Sequence, residues 1–136
     1  MKKVEKNIKF QITDKIISSI TDFIKNSDEK SLENLFSDFH HADIAEILDE
    51  LSIEDALYII KLLDSEKTSE VLMELDDDYR EKILNNLSVQ EIAEEVEELD
   101  SDDATDIISE LPEDKQKKVI SKIIDAEHKA DIKELL

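Results

Sequence analysis

The sequence of 136 residues contains no glycine, no cysteine and no tryptophan, and its single proline is Pro112. Without cysteine, the chain has neither a disulfide framework nor a thiolate metal site. Without glycine, it has no phosphate-cradling loop, no nucleophile elbow and no dinucleotide-binding fingerprint, because each of these needs glycine at a tight backbone turn. These absences exclude the glycine-dependent nucleotide sites and the thiol-dependent metal and redox sites.

Long apolar runs are also missing. No run approaches the roughly 18 residues that span a bilayer, and the start of the chain, MKKVEKNIKFQITDK, lacks the apolar core of a signal peptide. We therefore expect the chain as given to be soluble. Its length is that of one domain, and its 40% of hydrophobic residues can form a modest core.

Basic residues are few: 17 Lys and Arg stand against 37 Asp and Glu, which gives a formal net charge of −20. A nucleic-acid-binding protein needs cationic groups to replace phosphate counterions, so this class is disfavoured. Residues 91–106, EIAEEVEELDSDDATD, contain nine acids and no base. Acidic stretches are usually solvated surface, but this one repels itself by up to about 1 kcal/mol per close pair in water. A metal ion, a basic partner or salt would relieve that repulsion.

The chain is organised by a twelve-residue repeat. Leucine recurs at this interval without a gap, at Leu51, Leu63, Leu75, Leu87, Leu99 and Leu111. In most units positions 8, 9 and 12 are apolar, and an apolar position 5 completes the i, i+3, i+4, i+7 pattern of one helix face. Twelve residues advance a helix by about 120° beyond whole turns, so a continuous helix would spread this face around its surface. The helix is therefore predicted to break near each unit boundary.

The first residue of each unit supports such a break, because Ser and Asp are strong helix N-caps. These residues are Ser52, Asp64, Asp76, Ser88 and Asp100. Ser88 and Glu91 have capping-box spacing, and Pro112 suits a first-turn position. We predict an all-α fold, a short superhelical α-solenoid of tandem helices of about 12 residues. Consecutive helices are expected to pair as αα-hairpins of about 24 residues and to stack.

A longer amphipathic helix is predicted over residues 8–25, upstream of the repeats. We interpret residues 1–26 as an N-terminal capping helix that covers the first repeat, and residues 27–136 as the helical repeat domain. A shorter helix is predicted over residues 31–39, with Ser27 or Ser31 as its N-cap.

Catalytic and zinc-binding patterns are weak. The three histidines are His40, His41 and His128, and they lack zinc-ligand spacing. The pair His40–His41 lies at a unit boundary and is interpreted as an exposed corner. Ser and Asp lie at cap positions, which explains them without catalysis. We do not predict an enzyme.

Carboxylates remain as possible metal ligands. Asp102 and Asp106 are spaced i, i+4, so both can project from one helix face, with Asp103 beside them. Mg²⁺ prefers oxygen ligands, keeps several waters and needs only one or two carboxylates. Acidic i, i+4 pairs are common in this sequence, however, so the spacing alone leaves the site open.

The units HADIAEILDEL, EKTSEVLMEL and IAEEVEELDSDDATDIISELPED resemble the cytosolic N-domain of MgtE-type magnesium transporters and channels. That family has tandem segments of the form L-x-x-[DE]-[AD]-A-x-[IV]-L-x-x-L in the same twelve-residue register. The resemblance covers roughly residues 27–136 and implies a superhelical α-solenoid. A related helical architecture occurs in flagellar motor switch proteins, which are the main alternative.

The resemblance also implies a role. In this family the domain precedes a pair of CBS domains and a membrane pore, and Mg²⁺ at the interface holds the cytosolic part closed. The metal-facing acids of the family fall here on Asp102 and Asp106, with direct or water-mediated contact, and on Glu70 with a weaker match. CBS domains of the same chain are the implied partners, the full-length protein is implied to be a dimer, and the domain is placed on the cytoplasmic side of the membrane.

Two departures qualify this picture. Pro112 is the only proline at a unit boundary, whereas the family often places proline there, and the CBS and membrane parts that the resemblance implies are not among the 136 residues given. We therefore expect an excised or truncated regulatory domain with a weak or incomplete Mg²⁺ site. The alternative function is a free-standing acidic scaffold that holds a basic protein partner.

Overall fold

The structure is a computed structural model, and it describes residues 14–136. Over this range the chain forms ten α-helices and no β-strand. They are α1 Asp14–Lys25, α2 Glu29–Phe36, α3 His41–Asp49, α4 Ile53–Leu62, α5 Ser65–Glu74, α6 Asp77–Asn85, α7 Val89–Glu97, α8 Ser101–Ser109, α9 Glu113–Lys122 and α10 Ala126–Leu135. The predicted helix over residues 8–25 is observed from Asp14 onward, and residues 8–13 lie outside the described residues.

Helix N-caps recur every twelve residues, as the unit boundaries predict. They are Asp28, His40, Ser52, Asp64, Asp76, Ser88, Asp100 and Pro112, followed by Asp125 one residue late. All but Pro112 accept a hydrogen bond from a backbone N–H of the first turn, which satisfies a donor that has no partner within the helix. Ser88 and Glu91 form the predicted capping box. The predicted helix breaks are therefore confirmed.

Three boundary details were predicted wrongly. Pro112 is the N-cap of α9 and not a residue of its first turn. Helix α2 begins at Glu29 and is capped by Asp28, whose carboxylate accepts bonds from both the backbone N–H and the hydroxyl of Ser31. Asp28 therefore takes the capping role that we assigned to Ser27 or Ser31. Ser27 instead has a φ of 54°, in the left-handed region where the α1–α2 corner would favour glycine.

The helices pack mainly on their second neighbours. Helix α5 packs on α3 and α7, α7 packs on α9, α6 packs on α4, and α10 packs on α8. Alternate helices thus form two rows, as expected for stacked αα-hairpins. Five of the six unit-closing leucines are buried, and Leu63 is half-buried. The all-α solenoid prediction is confirmed.

A second contact recurs at a longer interval. Four backbone carbonyls at helix ends, at position 9 of their units, accept a hydrogen bond from the backbone N–H of the residue three positions later. Each also contacts a side chain from the first turn of the helix three units later. The pairs are Lys67 with Phe36, Tyr79 with Leu48, Lys115 with Leu84, and His128 with Val96. These contacts hold the register of the stack.

Candidate functional site

The predicted acidic face lies on α8. Ala104, Ile107 and Ile108 are buried in the helical stack. Asp102 and Asp106 are therefore left on the outer side, and both are exposed. In the described part of the chain, neither carboxylate forms a salt bridge with a lysine, an arginine or a histidine. Two carboxylates one helical turn apart are thus available to a cation.

The start of α8 concentrates further negative charge. Asp100 is the N-cap, and its carboxylate accepts a bond of 3.0 Å from the backbone N–H of Asp103. Asp103 lies between the two exposed acids. Desolvation by burial raises the pKa of Asp103, and the charges of Asp100, Asp106 and Asp102 raise it further. The ionised form of Asp103 is therefore electrostatically disfavoured, and a bound cation would lower this repulsion.

Glu70 lies on a different helix, α5, and its nearest ionic contact is a histidine. Its Oε1 is 3.6 Å from His41 Nδ1, while His41 Nε2 is 3.2 Å from Oε2 of Glu74. Glu70 also lines a surface cavity with both histidines of the α2–α3 corner. His40 caps α3 there, with its Nδ1 accepting from the backbone N–H of Ala42 at 3.2 Å. The interpretation of the pair as a helix corner agrees with this position, but the contacts of His41 were not predicted.

Asp102, Asp106 and Glu70 could supply only some of the ligands that a bound Mg²⁺ needs. Among residues 14–136, no three His, Cys, Asp or Glu side chains come together in a group that could hold a metal ion. Asp102 and Asp106 supply hard oxygen donors in pairs, which suits an ion that keeps several waters. Glu70 contacts His41 on α3, and within residues 14–136 it does not form one group of metal ligands with Asp102 and Asp106. The assignment of all three as ligands stays a prediction.

Sequence reasoning missed two charged residues inside the stack. Arg80 on α6 is 6% exposed and Glu95 on α7 is 8% exposed. Arg80 lies at position 5 of its unit and Glu95 at position 8, where most units have apolar residues. A strict reading of the register would have found both positions.

Arg80 is fully partnered. Its Nε and Nη2 donate to the two carboxylate oxygens of Glu110, at 3.0 and 2.6 Å. Its Nη1 donates to the carbonyls of Leu72 and Leu75 at the end of α5, and Nη2 also reaches Asp77 at 2.8 Å. The hydrogen bond that Arg80 donates to Glu110 is the largest influence that raises the pKa of Arg80. The side chain thus joins α5, α6 and the C-cap of α8.

Glu95 is not partnered in this way. Its Oε1 is buried and has no hydrogen-bond partner among the described residues. Burial raises the pKa of Glu95 to about 8, and nearby acids add to the effect, with Glu94 the largest of them. In residues 14–136, Oε1 of Glu95 is the one buried side-chain oxygen or nitrogen without a hydrogen-bond partner.

The fold and the surface together define a class: an all-helical repeat domain that presents paired carboxylates. The sequence matches the family described as the MgtE intracellular N domain over residues 39–136, more than two thirds of the chain. This chain belongs to that family, and the predicted resemblance is confirmed.

A solved structure has the same fold. The chain is similar to the "soluble part of a magnesium transporter", with a TM-score of 0.75 and 20% sequence identity. The match covers 88% of this chain and 47% of that one, so the chain spans about half the length of its structural neighbour. None of the curated proteins matches the sequence. None of the helices in residues 14–136 is long and apolar enough to cross a membrane.

Proposed function

We propose that this chain is the Mg²⁺-sensing regulatory domain of a magnesium transporter or channel, on the cytoplasmic side of the membrane, and that it is not an enzyme. Family membership over residues 39–136 supports the transporter context. The observation that carries the sensing role is the acidic face of α8. Asp102 and Asp106 are exposed there without a salt-bridge partner in the described range, and both raise the pKa of Asp103.

The proposed switch is electrostatic. When the free Mg²⁺ concentration is low, the carboxylates of Asp102 and Asp106 repel any acidic surface that approaches them. A bound Mg²⁺ supplies two positive charges and accepts oxygen ligands from both sides, so the acidic face can close against the CBS domains of the same transporter. Glu70 contributes a second contact from α5. Ion concentration thus shifts the balance between open and closed arrangements.

Mg²⁺ binding can be tested on this chain by thermal unfolding. We expect millimolar Mg²⁺ to raise the Tm above that in NaCl of equal ionic strength, because a ligand that binds only the folded state stabilises it. A gain of about 1 kcal/mol corresponds to roughly 3–6 °C in a domain of this size. The difference should vanish in the double variant Asp102→Asn with Asp106→Asn.

The control for charge number is Glu46→Gln with Glu50→Gln. Both residues are exposed, and they have the same i, i+4 spacing around the end of α3. This variant should keep the Mg²⁺ effect. Equal Tm values in Mg²⁺ and matched NaCl for the unmodified chain would contradict Mg²⁺ binding by the domain alone.

The sensing role can be tested in a full-length transporter that carries this domain. We expect Asp102→Asn with Asp106→Asn to leave the pore conducting at high Mg²⁺, because the closed arrangement loses its cation bridge. The measurement is the ion current or flux as a function of cytoplasmic Mg²⁺. Unchanged inhibition by Mg²⁺ in the double variant would overturn the assignment of these two residues.

A further inference from the structure

Glu95 occupies a position that the repeat reserves for core residues. It is position 8 of its unit, and seven other units have an aliphatic residue there. Leu35 is half-buried, and the other six are 0% exposed: Ile47, Ile59, Val71, Ile83, Ile107 and Val119. Helix α7 follows the same register, since its N-cap lies twelve residues from its neighbours on either side. The backbone therefore places the carboxyl group of Glu95 where the other helices place hydrocarbon.

The surroundings do not compensate an ionised Glu95. Its Oε1 lies in the stack without a donor, and the residue lines a cleft of mixed polarity that includes Ile60, Leu63 and the hydroxyl-bearing Ser65. Lys61 also lines this cleft, but its Nζ is 3.8 Å from Oε2 of Glu91. An uncompensated charge in such surroundings is strongly disfavoured, and the usual response of a carboxyl group is to take up a proton.

Charges on the neighbouring elements act in the same direction. On α7 itself the acids around Glu95 are Glu94, Glu91 and Glu98, and from the start of α5 Asp64 adds a fourth negative charge. Lys67 of α5 is directed to the carbonyl of Phe36.

Helix α7 also packs on α8 and α9, and His128 of α10 contacts the carbonyl oxygen of Val96 through its Nε2. On α9, Lys115 donates to the carbonyls of Leu84 and Leu87. On α8, Asp103 interacts with the acids of its own turn. The basic groups around the cleft are thus engaged elsewhere, and the acids favour the neutral form.

We propose that Glu95 is a proton-binding site within the helical stack: it is protonated in the folded domain at neutral pH, and its ionisation in mildly alkaline solution weakens the packing of α7. A proton suits this position better than a metal ion, because in residues 14–136 no three metal-ligating side chains converge. A neutral carboxyl group also needs no counter-ion when it is buried. This inference is independent of Mg²⁺ sensing by α8.

Ionisation of Glu95 makes the stability of the folded domain fall as the pH rises. The pKa of Glu95 is about 8 in the folded domain and 4.5 as an unperturbed glutamate. Below the lower value both states bind the proton, and the packing is at full strength. Between the two values the unfolded state loses its proton first, so stability falls as the pH rises. The ratio of folded to unfolded chain should fall about tenfold per pH unit in this window and level off above it.

The direct test is a pH titration of the glutamate side-chain carboxyl carbons by ¹³C NMR on this chain. We expect one resonance, assigned to Glu95 by its loss in Glu95→Gln, to titrate near pH 8. The matched variant is Glu94→Gln, one residue away and exposed; it should keep this resonance and shift its midpoint only slightly downward. A midpoint for Glu95 in the ordinary range, near 4.5, would overturn the proposal.

Chemical denaturation gives the second readout. Because Gln mimics the neutral carboxyl group and cannot ionise, Glu95→Gln should become progressively more stable than the unmodified chain as the pH rises from about 5 to about 8. Glu94→Gln should show no such divergence. A constant difference between Glu95→Gln and the unmodified chain over this range would contradict proton binding. If the Gln variant does not fold, the NMR titration of the unmodified chain decides the question.

Discussion

Arg80 on α6 and Glu95 on α7 are both charged side chains inside the same stack, yet their surroundings differ. Each hydrogen-bonding nitrogen of Arg80 has an acceptor, and Glu110 binds it with both carboxylate oxygens. Glu95 has a buried oxygen with no donor and four acids acting on it. The charge of Arg80 is therefore compensated within the folded domain, whereas the charge of Glu95 depends on the pH.

This difference shows how one repeat carries two kinds of buried charge. Arg80 joins two carbonyls at the end of α5 to an acid at the end of α8, and its guanidinium stays ionised at every accessible pH. Glu95 is compatible with the stack mainly as a neutral acid. A helical repeat can therefore gain a pH-sensitive position from a single substitution in an otherwise apolar register.

The largest effect is expected from breaking the Arg80 network. Arg80→Met keeps an unbranched side chain but leaves the carboxylate of Glu110 and two carbonyls without their donor. Because removing one partner of a buried ion pair strands the other, we expect a loss of about 3 kcal/mol in the free energy of unfolding. Urea denaturation measures it.

The control for this prediction is the other acid on Arg80. Asp77 is 89% exposed, and Asp77→Asn should lower the free energy of unfolding by less than about 1 kcal/mol. Equal losses in Arg80→Met and Asp77→Asn would show that the ion pair with Glu110 is not what stabilises the stack.

The next largest effect should have the opposite sign. Glu95→Ile restores the residue type that other units bury at this position. We expect a gain of about 1 kcal/mol near pH 5, because an unsatisfied buried polar group is removed, and a gain larger by about 1 kcal/mol at pH 6, because the unfolded glutamate ionises while the folded one keeps its proton. Urea denaturation at both pH values tests it. A gain of the same size at both, or a loss, would contradict the comparison with Arg80.

The smallest effect is expected from removing one of the negative charges near Glu95. Asp64→Asn keeps a strong N-cap on α5 but removes a negative charge that acts on Glu95. We expect the NMR titration midpoint of Glu95 to fall by a few tenths of a pH unit. The control is Asp76→Asn, the same substitution at the N-cap of α6, which should leave the midpoint unchanged. Equal shifts in both variants would contradict a specific effect of the Asp64 charge on the titration midpoint of Glu95.

The repeat made most of the fold predictable. Unit-closing leucines and Ser or Asp at unit starts were enough to predict the helix breaks, because amphipathic periodicity and capping are local properties. The cap at His40 was missed, since histidine is not among the strong N-cap residues. The hydrogen bonds of Arg80 could not be predicted from local sequence patterns, because Glu110 lies thirty residues away and only the stacking of the helices brings the two residues together.

The candidate site was predictable to a smaller extent. The i, i+4 spacing of Asp102 and Asp106 was enough to predict a shared outer face, because the buried residues of α8 fix its orientation. The contacts of Glu70 with His41 required the packing of α5 on α3, which no local pattern contains. Glu95 was visible in the register, but its missing partner follows only from its neighbours on α4 and α5.

We expect the acidic face of α8 to bind Mg²⁺ specifically, beyond any general effect of ionic strength. The most direct measurement is a titration of the ¹⁵N-labelled chain with MgCl₂, compared by ¹H–¹⁵N NMR with NaCl at equal ionic strength. We predict Mg²⁺-specific shifts concentrated on the amides of residues 100–106 and lost in Asp102→Asn with Asp106→Asn. Shifts of the same size and pattern in both salts, or shifts that persist in the double variant, would contradict the account.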